Sequence, residues 1–480
     1  MKPKPPDNVG QPPGRPSAWL RLLIFGCLLV IFIAVLLPKP VRKTSAPDTS
    51  ADATTTTSKV GDSTTHKTNA SHRYRPSSSG FGPTAEQIVA NKVVQFARKR
   101  HQLIRLIAKR SKTEIPPEVE KFFGALERGN WDEIKPLWDE LARQSGQYER
   151  STHRKELDPF WPTILDAYGV AEQAHNWPAQ QLLDYGNAIL SSLRPGMVYV
   201  GGTDDGRWIP ELLNETGDRE EHIIITQNAL ADGRYLDFVN TLYADRMTTL
   251  TAEDMQAAFQ NYGADAQKRL EHDQQFPDEA KQVQPGENIQ VVDGKVQVSG
   301  QTSVMAVNEK LLQALTQKNP DFSFGIQESF PFRDMYGDAL PMGPLMELGA
   351  GGQNNFSPDQ ATQSLQYWQA TAQQVLADPD AANSPTTLKS YSHDAVSAAN
   401  LLAAHNFTAE AEQAYGLATQ LWPENPESVG GLADLLTATG RQEQARQLLQ
   451  NFAQQYPAQQ KNLGYTSAVW RSIASQQTAH

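Results

Sequence analysis

At 480 residues, 39% of them hydrophobic, the chain is long enough for two or three domains with real cores. A formal net charge of -11 argues against a nucleic-acid-binding protein as a whole. The one cysteine, Cys27, excludes an internal disulfide and a thiolate metal cluster.

Cys27 lies in the clearest targeting signal, the uncharged apolar run Leu22 to Leu37, which Trp19 and Leu20 extend to a length that spans a bilayer. A cleaved signal peptide is one competing reading, and Ile24-Phe25-Gly26-Cys27 offers a second, a lipoprotein-type box. Pro38, Lys39 and Pro40 follow the run where small residues would mark cleavage. An uncleaved transmembrane anchor over 19–37 is therefore favoured, with 1–18 as a cytoplasmic tail. Lys2, Lys4, Arg15 and Arg21 before the run outnumber Lys39, Arg42 and Lys43 after it, which puts the bulk of the chain outside the cytoplasm. The expectation is a single-pass protein of the inner membrane facing the periplasm. Thirteen of the twenty-six residues from Thr44 to Asn69 are Ser or Thr, so 38–82 reads as a disordered linker.

A helical segment, 83–159, comes next. Thr84 is an N-cap with Gln87 three residues on, and the helix that follows keeps Ile88, Val89, Val93 and Phe96 near one side. Its other side carries Arg98, Lys99, Arg100, Arg105, Lys109 and Arg110. A solvated face on a packed helix is the favoured reading of these charges, and contact with anionic headgroups is the alternative. Phe122-Phe123 to Gly129-Asn130-Trp131 reads as a helical hairpin with a glycine C-cap.

The stretch 160–350 alternates helices with strands and predicts a Rossmann-like α/β domain. Its centre is an apolar run, Met197 to Val200, then Gly201-Gly202, a polar loop, a short helix at Ile209-Pro210, and a second apolar run, Ile223 to Ile225. Runs without polar alternation suit strands buried on both faces, and the loop then lies at a strand's carboxyl end, where such sheets hold ligands. Asp293-Gly294 between Ile-Gln-Val-Val and Lys-Val-Gln-Val predicts a β-hairpin, and a further strand over Phe322 to Ile326 ends at Glu328.

From 357 to 480 the chain is helical and repeats. An offset of 34 pairs Ala399 with Ala433, Leu402 with Leu436, Ala411 with Ala445 and Pro423 with Pro457. That period resembles the tetratricopeptide repeat, without its tryptophan-leucine-glycine start. The resemblance implies an all-α module whose concave surface takes a protein partner.

Chemistry is harder to find. The ligand-binding candidates are Gly201, Gly202, Asp204, Asp205, Arg207 and Trp208 in the first loop, with Gln227 and Asn228 at the second strand's end. Their spacing is not G-x-G-x-x-G, no Lys-Ser/Thr pair is present, and two aspartates repel phosphate, so no nucleotide cofactor is expected. Carboxylates and carboxamides beside an aromatic face suit a neutral polyhydroxylated ligand such as a glycan. The structural alternative, which is favoured, makes Asp205-Gly206 a turn and Asp204 a helix cap. Asp232, Arg234, Tyr235 and Glu328 are further candidates for the same crevice. The histidines are scattered without ligand spacing, so no metal is expected, and no catalytic residue is assigned.

Tyr199-Val-Gly-Gly-Thr-Asp-x-Gly-Arg207 and Ile224 to Tyr235, with Tyr262 through Arg269, resemble the soluble region that follows the membrane domain in bacterial proteins similar to protein O-mannosyltransferases. Sugar transfer in that family belongs to a multi-span membrane domain that this chain lacks. The resemblance implies an extracytoplasmic accessory role in cell-envelope glycan or glycoprotein work. The expected function is a membrane-anchored scaffold or binding protein. The alternative is a glycan-acting enzyme with Asp204 and Asp205 as its acid and base.

Overall fold

The computed structural model describes residues 82–148, 150–218, 221–279, 281–292, 295–331, 335–348 and 356–478. The tail 1–18, the anchor 19–37 and all of the linker but Gly82 lie outside them.

Five helices lead in: α1 (Ala85–Ser111), α2 (Pro117–Arg128), α3 (Trp131–Gln144), α4 (Trp161–Asn176) and α5 (Ala179–Ser192). Thr84 starts α1 through a capping box, its hydroxyl accepting from Gln87 N at 3.3 Å while Gln87 Oε1 accepts from Thr84 N at 3.0 Å. Gly129, at φ 67°, ends α2 and turns the chain into α3.

The central unit follows as β1 (Val198–Gly201), α6 (Asp204–Glu215) and β2 (Ile223–Thr226), then α7 (Gly233–Tyr243) and α8 (Ala252–Gln275). A separate antiparallel hairpin, β3 (Asn288–Val292) with β4 (Lys295–Ser299), precedes α9 (Gln301–Lys318) and β5 (Phe324–Ile326). The turn residues Asp293 and Gly294 of that hairpin are outside the described set. β6 (Ala339–Met342) and β7 (Leu345–Leu348) complete a five-stranded sheet in the order β2-β1-β5-β7-β6. β1 is parallel to both β2 and β5, with Val198 opposite Ile223 and Phe324, whereas β5 pairs antiparallel with β7 and β7 with β6.

The expected fold class of a transmembrane helix, a Rossmann-like domain and an all-α repeat module is therefore corrected. About 69% of the structure is helical, the sheet is small and mixed, and among the described residues no helix is long and apolar enough to cross a membrane. A Rossmann-like sheet needs successive crossover helices, and here the pattern stops after β5. Pro341-Met342-Gly343-Pro344 folds the chain back on itself, with Gly343 at φ 61°, so two antiparallel strands follow β5 where the sequence pattern marks none.

The period of two along β1 divides its side chains between two cores. Tyr199, with Ile224 and Leu345, faces a cluster built from α1 to α6 together with C-terminal helices. Val198 and Val200, with Ile223, Ile225, Phe324 and Ile326, face α7 to α9 and the hairpin. The first cluster is continuous from Val89 to Leu421, so the leading helices, the sheet and the first repeat hairpin share one interior.

That hairpin is α12 (Pro385–Ala404) with α13 (Thr408–Leu421), preceded by α10 (Pro358–Ala377) and the single turn α11 (Pro379–Ala382). A second hairpin, α14 (Pro426–Ala438) with α15 (Gln442–Gln455), leads to α16 (Gln460–Thr466) and α17 (Ala468–Thr478). The offset of 34 is visible in the backbone. Asn406, at φ 65°, and Gly440, at φ 81°, make equivalent turns, with Phe407 N bonding Leu402 O as Arg441 N bonds Leu436 O. Ala399, Ala411, Ala433 and Ala445 are all fully buried, which is what lets the paired helices approach closely.

Candidate functional site

The sheet's carboxyl edge, where a ligand was expected, is filled from within. Gln327, directly after β5, extends its carboxamide over the loop between β1 and α6. Its Oε1 accepts from Gly202 N, Thr203 N and the Thr203 hydroxyl, each at 3.2 Å. Its Nε2 donates to Tyr185 of α5 and to Asp394 Oδ1 of α12, each at 2.8 Å. The backbone amides that receive an anion in nucleotide-binding loops here receive a side chain of the same protein.

This explains the glycines. A Cβ on Gly206 would sit 1.6 Å from Gln327 Oε1, and one on Gly202 would sit 2.3 Å from Gln327 O. Gly201 is the last residue of β1, and its Cβ would meet Gly206 O at 2.9 Å. Thr203, rather than Asp204, caps α6, its hydroxyl accepting from Gly206 N at 3.0 Å. Pro210 lies inside α6 rather than starting it, and has no N–H to offer Gly206 O four residues earlier. That carbonyl instead accepts from the Tyr199 hydroxyl.

Gln227 and Asn228 join the same network. Gln227 Nε2 donates to Gln327 O at 2.5 Å, and Asn228 donates to Gly202 O while accepting from Ser329 at 2.6 Å. The remaining candidates diverge. Arg207 and Trp208 point from the far side of α6 into buried contacts with α4: Arg207 pairs with Asp166 at 3.1 Å, and the Trp208 ring lies 2.1 Å from where Gly169 would carry a Cβ. Trp208 is thus a packing residue, not an open platform. Arg234 pairs with Asp158 and Asp232, and the buried Tyr235 hydroxyl accepts from Thr226 N at 2.7 Å. Glu328 is buried and accepts from Tyr336 at 2.5 Å.

Four residues of this cluster carried no signal in the loop itself: Gln327, Tyr185, His393 and Asp394. His393 Nε2 lies 2.8 Å from Glu328 O, and its Nδ1 lies 2.7 Å from Glu427 Oε2 on α14. Both partners are acceptors, so the ring is held as an imidazolium. Burial alone would lower its proton affinity, but Glu427, Asp394 and the Glu328 carbonyl raise its pKa to about 10. Burial first, and Asp205 second, push Asp394 up to about 7 against the opposing effects of His393, Gln327 and Tyr185. Burial also raises Asp205, whose Oδ2 has no hydrogen-bond partner among the described residues. Asp204 stands apart at the half-buried rim, raised by burial and then by Glu172 and Asp205. Glu427 stands 34 residues after His393, so the repeat period is the signal that pairs them.

Set against known proteins, the chain matches no family model, no curated protein and no solved structure. What the site can do must be read from its own residues. It holds two layers together: α12 is pinned to the sheet edge by Asp394 on Gln327, by His393 on Glu328 O and, at its far end, by His405 on Tyr336 O at 2.7 Å.

The two titrating groups give this clamp a pH dependence. Both bind their proton more tightly in the folded state than their ordinary values of 6.5 and 3.8. The stability each lends is complete below the unfolded value and is lost as pH rises through the folded one. The melting midpoint is therefore expected to fall as pH rises from about 7 to about 10, the window in which His393 discharges. In His393→Gln that decline should flatten. An unchanged slope in the variant would remove His393 from the clamp.

Proposed function

We propose that this chain is a binding or scaffold protein, with its C-terminal tetratricopeptide-like hairpins as the partner-contacting part and without catalysis at the β1–α6 loop. The observation that carries the reading is the occupancy of the sheet's carboxyl edge by Gln327 under α12. Gly202 N, Thr203 N, Gln227 Nε2 and Asn228 Nδ2, which could hold a ligand, already bond the chain itself. The inward face of α12 is likewise committed, which leaves the outer hairpin and its cap for a partner. There α16 exposes Tyr465, half of whose surface is open to solvent. An extracytoplasmic place rests on the charges that flank Leu22 to Leu37 and on the sequence resemblance, and accessory work on envelope glycans or glycoproteins rests on the resemblance alone. The test is a photoreactive amino acid at Tyr465 in the full-length chain, irradiated in cells. A discrete protein adduct that is absent when the same group replaces Arg98 is the expected result, and identical adducts from both sites would sink the reading.

One observation keeps the glycan-acting alternative in view. Asp204, at the rim, is within electrostatic reach of Glu172, whose carboxylate accepts from Tyr168 at 2.7 Å. Beside them Trp131 stacks on exposed His175 at 4.2 Å. A carboxyl that holds its proton near a second carboxylate and an accessible aromatic face is the arrangement glycan hydrolysis uses. A saccharide panel that raises the melting midpoint of the wild type but not of Asp204→Asn would favour this alternative over the scaffold.

A further inference from the structure

From Asn91 to Lys112 the chain has eight basic residues and no acidic one, in a protein of net charge -11. The structure sorts six of these eight into two groups, with Arg110 in the last turn and Lys112 as the C-cap of α1. Lys92, Lys99 and Arg100 serve the fold: Lys92 donates to Thr216 O at 2.8 Å, Lys99 to Glu215 O at 2.5 Å, and Arg100 is buried among carboxylates. Arg98, Arg105 and Lys109, at spacings of seven and four, fall on one outward line of α1. Neither Arg98, Lys109 nor Arg110 is ion-paired among the described residues, and Arg105 meets half-buried Glu120 at 3.6 Å and the His101 Nε2 at 3.2 Å.

Cations in a last turn complement a helix dipole, which accounts for Lys109 and Arg110. It does not account for Arg98 and Arg105, farther from that end. Next to this line Leu106 is 41% exposed, and beyond it Leu103 and Leu242 line a groove of about 360 Å³. Arg246 lines that groove from the other side, and the groove's acids are Glu221, paired to Lys99 at 3.2 Å, and Glu215, paired to Arg100 at 2.6 Å. An apolar strip with cations on both sides is the surface that an anionic bilayer interface attracts, the cations meeting phosphates while leucines enter the headgroup layer. Nucleic acid would share the charge but leave Leu106 unused, and among the described residues no aromatic ring stands at the patch's exposed line to stack a base.

We propose that the outward face of α1, centred on Leu106 between Arg98, Arg105, Lys109 and Arg110, docks on an anionic membrane surface. The inference is independent of the partner reading of the C-terminal hairpins.

The test uses the full-length chain with Cys27→Ser and Leu106→Cys, labelled with an environment-sensitive fluorophore. The uncharged run Leu22 to Leu37 is present in this protein, so vesicle association as such is not the readout; the environment of residue 106 is. Vesicles containing phosphatidylglycerol should raise the label's emission, vesicles of phosphatidylcholine alone should not, and molar salt should reverse the rise. Each basic residue near such a surface is worth about 1 kcal/mol, so Arg98→Gln, Arg105→Gln and Lys109→Gln together should demand roughly 100-fold more anionic lipid for the same response. The same label at Leu376→Cys, on α10, should stay silent. Equal responses to neutral and anionic vesicles, an equal response at residue 376, or competition by mixed-sequence duplex DNA as effective as that by the anionic lipid would each overturn the proposal.

Discussion

Gly206→Ala is expected to cost on the order of 5 kcal/mol of unfolding free energy, a large part of what holds an ordinary domain together. The added methyl group would lie 1.6 Å from Gln327 Oε1, so the carboxamide has to leave. Its departure strips Gly202 N, Thr203 N and the Thr203 hydroxyl of their acceptor, and takes a donor from Asp394 and Tyr185. Each buried group left unsatisfied costs about 1–3 kcal/mol. The mechanism has a signature beyond its size. Gln327→Ala should itself be costly, because it orphans the same donors, but adding Gly206→Ala to it should cost little more. A double-mutant cycle by urea denaturation reads the coupling directly. Two additive penalties would mean that Gly206 is required for some reason other than making room for Gln327.

The same residues mark where sequence reading stopped. The apolar run before the polar loop and the glycines after it predict a place at a strand's carboxyl end, and the loop follows β1 there. Its occupant was not legible, because a glycine admits a ligand and a neighbouring side chain equally well, and Gln327 is 121 residues beyond Gly206. Trp208 and Arg207 read as loop chemistry when the helix is started at Ile209-Pro210. The helix starts at Asp204, capped by Thr203, and one turn of difference sends both side chains toward α4. β6 and β7 carried Pro341 and Pro344 in and beside short apolar pieces, a pattern that reads as loop until β5 supplies an edge to pair with. In sequence Arg100 belongs to the basic run with Arg98 and Lys99 and reads as part of a solvated face, yet two residues on a helix from Arg98 is most of the way to the opposite side.

Arg100 yields the second large effect. Two buried guanidinium groups, Arg100 and Arg207, meet three carboxyls, Asp166, Glu211 and Glu215. Three charges against two leave one carboxyl better off protonated, and the geometry picks it. Asp166 touches both arginines, at 2.5 and 3.1 Å, and Glu215 meets Arg100 with both oxygens, at 2.6 and 2.7 Å. Glu211 keeps only one close bond, at 2.8 Å, and its Oε2 lacks a hydrogen-bond partner among the described residues. Burial and then Asp166 raise Glu211 well above the usual carboxylate range; Asp166, despite burial, is lowered by Arg100 and Arg207. Glu211→Gln should therefore be nearly neutral at pH 7, because it replaces one uncharged group by another of the same shape. Arg100→Met should cost about 3–5 kcal/mol, the usual penalty for removing one side of a buried ion pair. The two also differ in pH response. In the wild type the lowered Asp166 lends stability that is lost as pH falls through its folded value. In Arg100→Met the carboxylates left facing each other bind protons more tightly folded than unfolded, so acid restores part of the loss. Melting curves from pH 4 to 8 should then converge for wild type and Arg100→Met on the acid side, a window bounded by ordinary carboxylate values near 4. Parallel curves across that range would mean that α1 is held to α4 and α6 by packing alone, with the ion cluster contributing nothing that titrates.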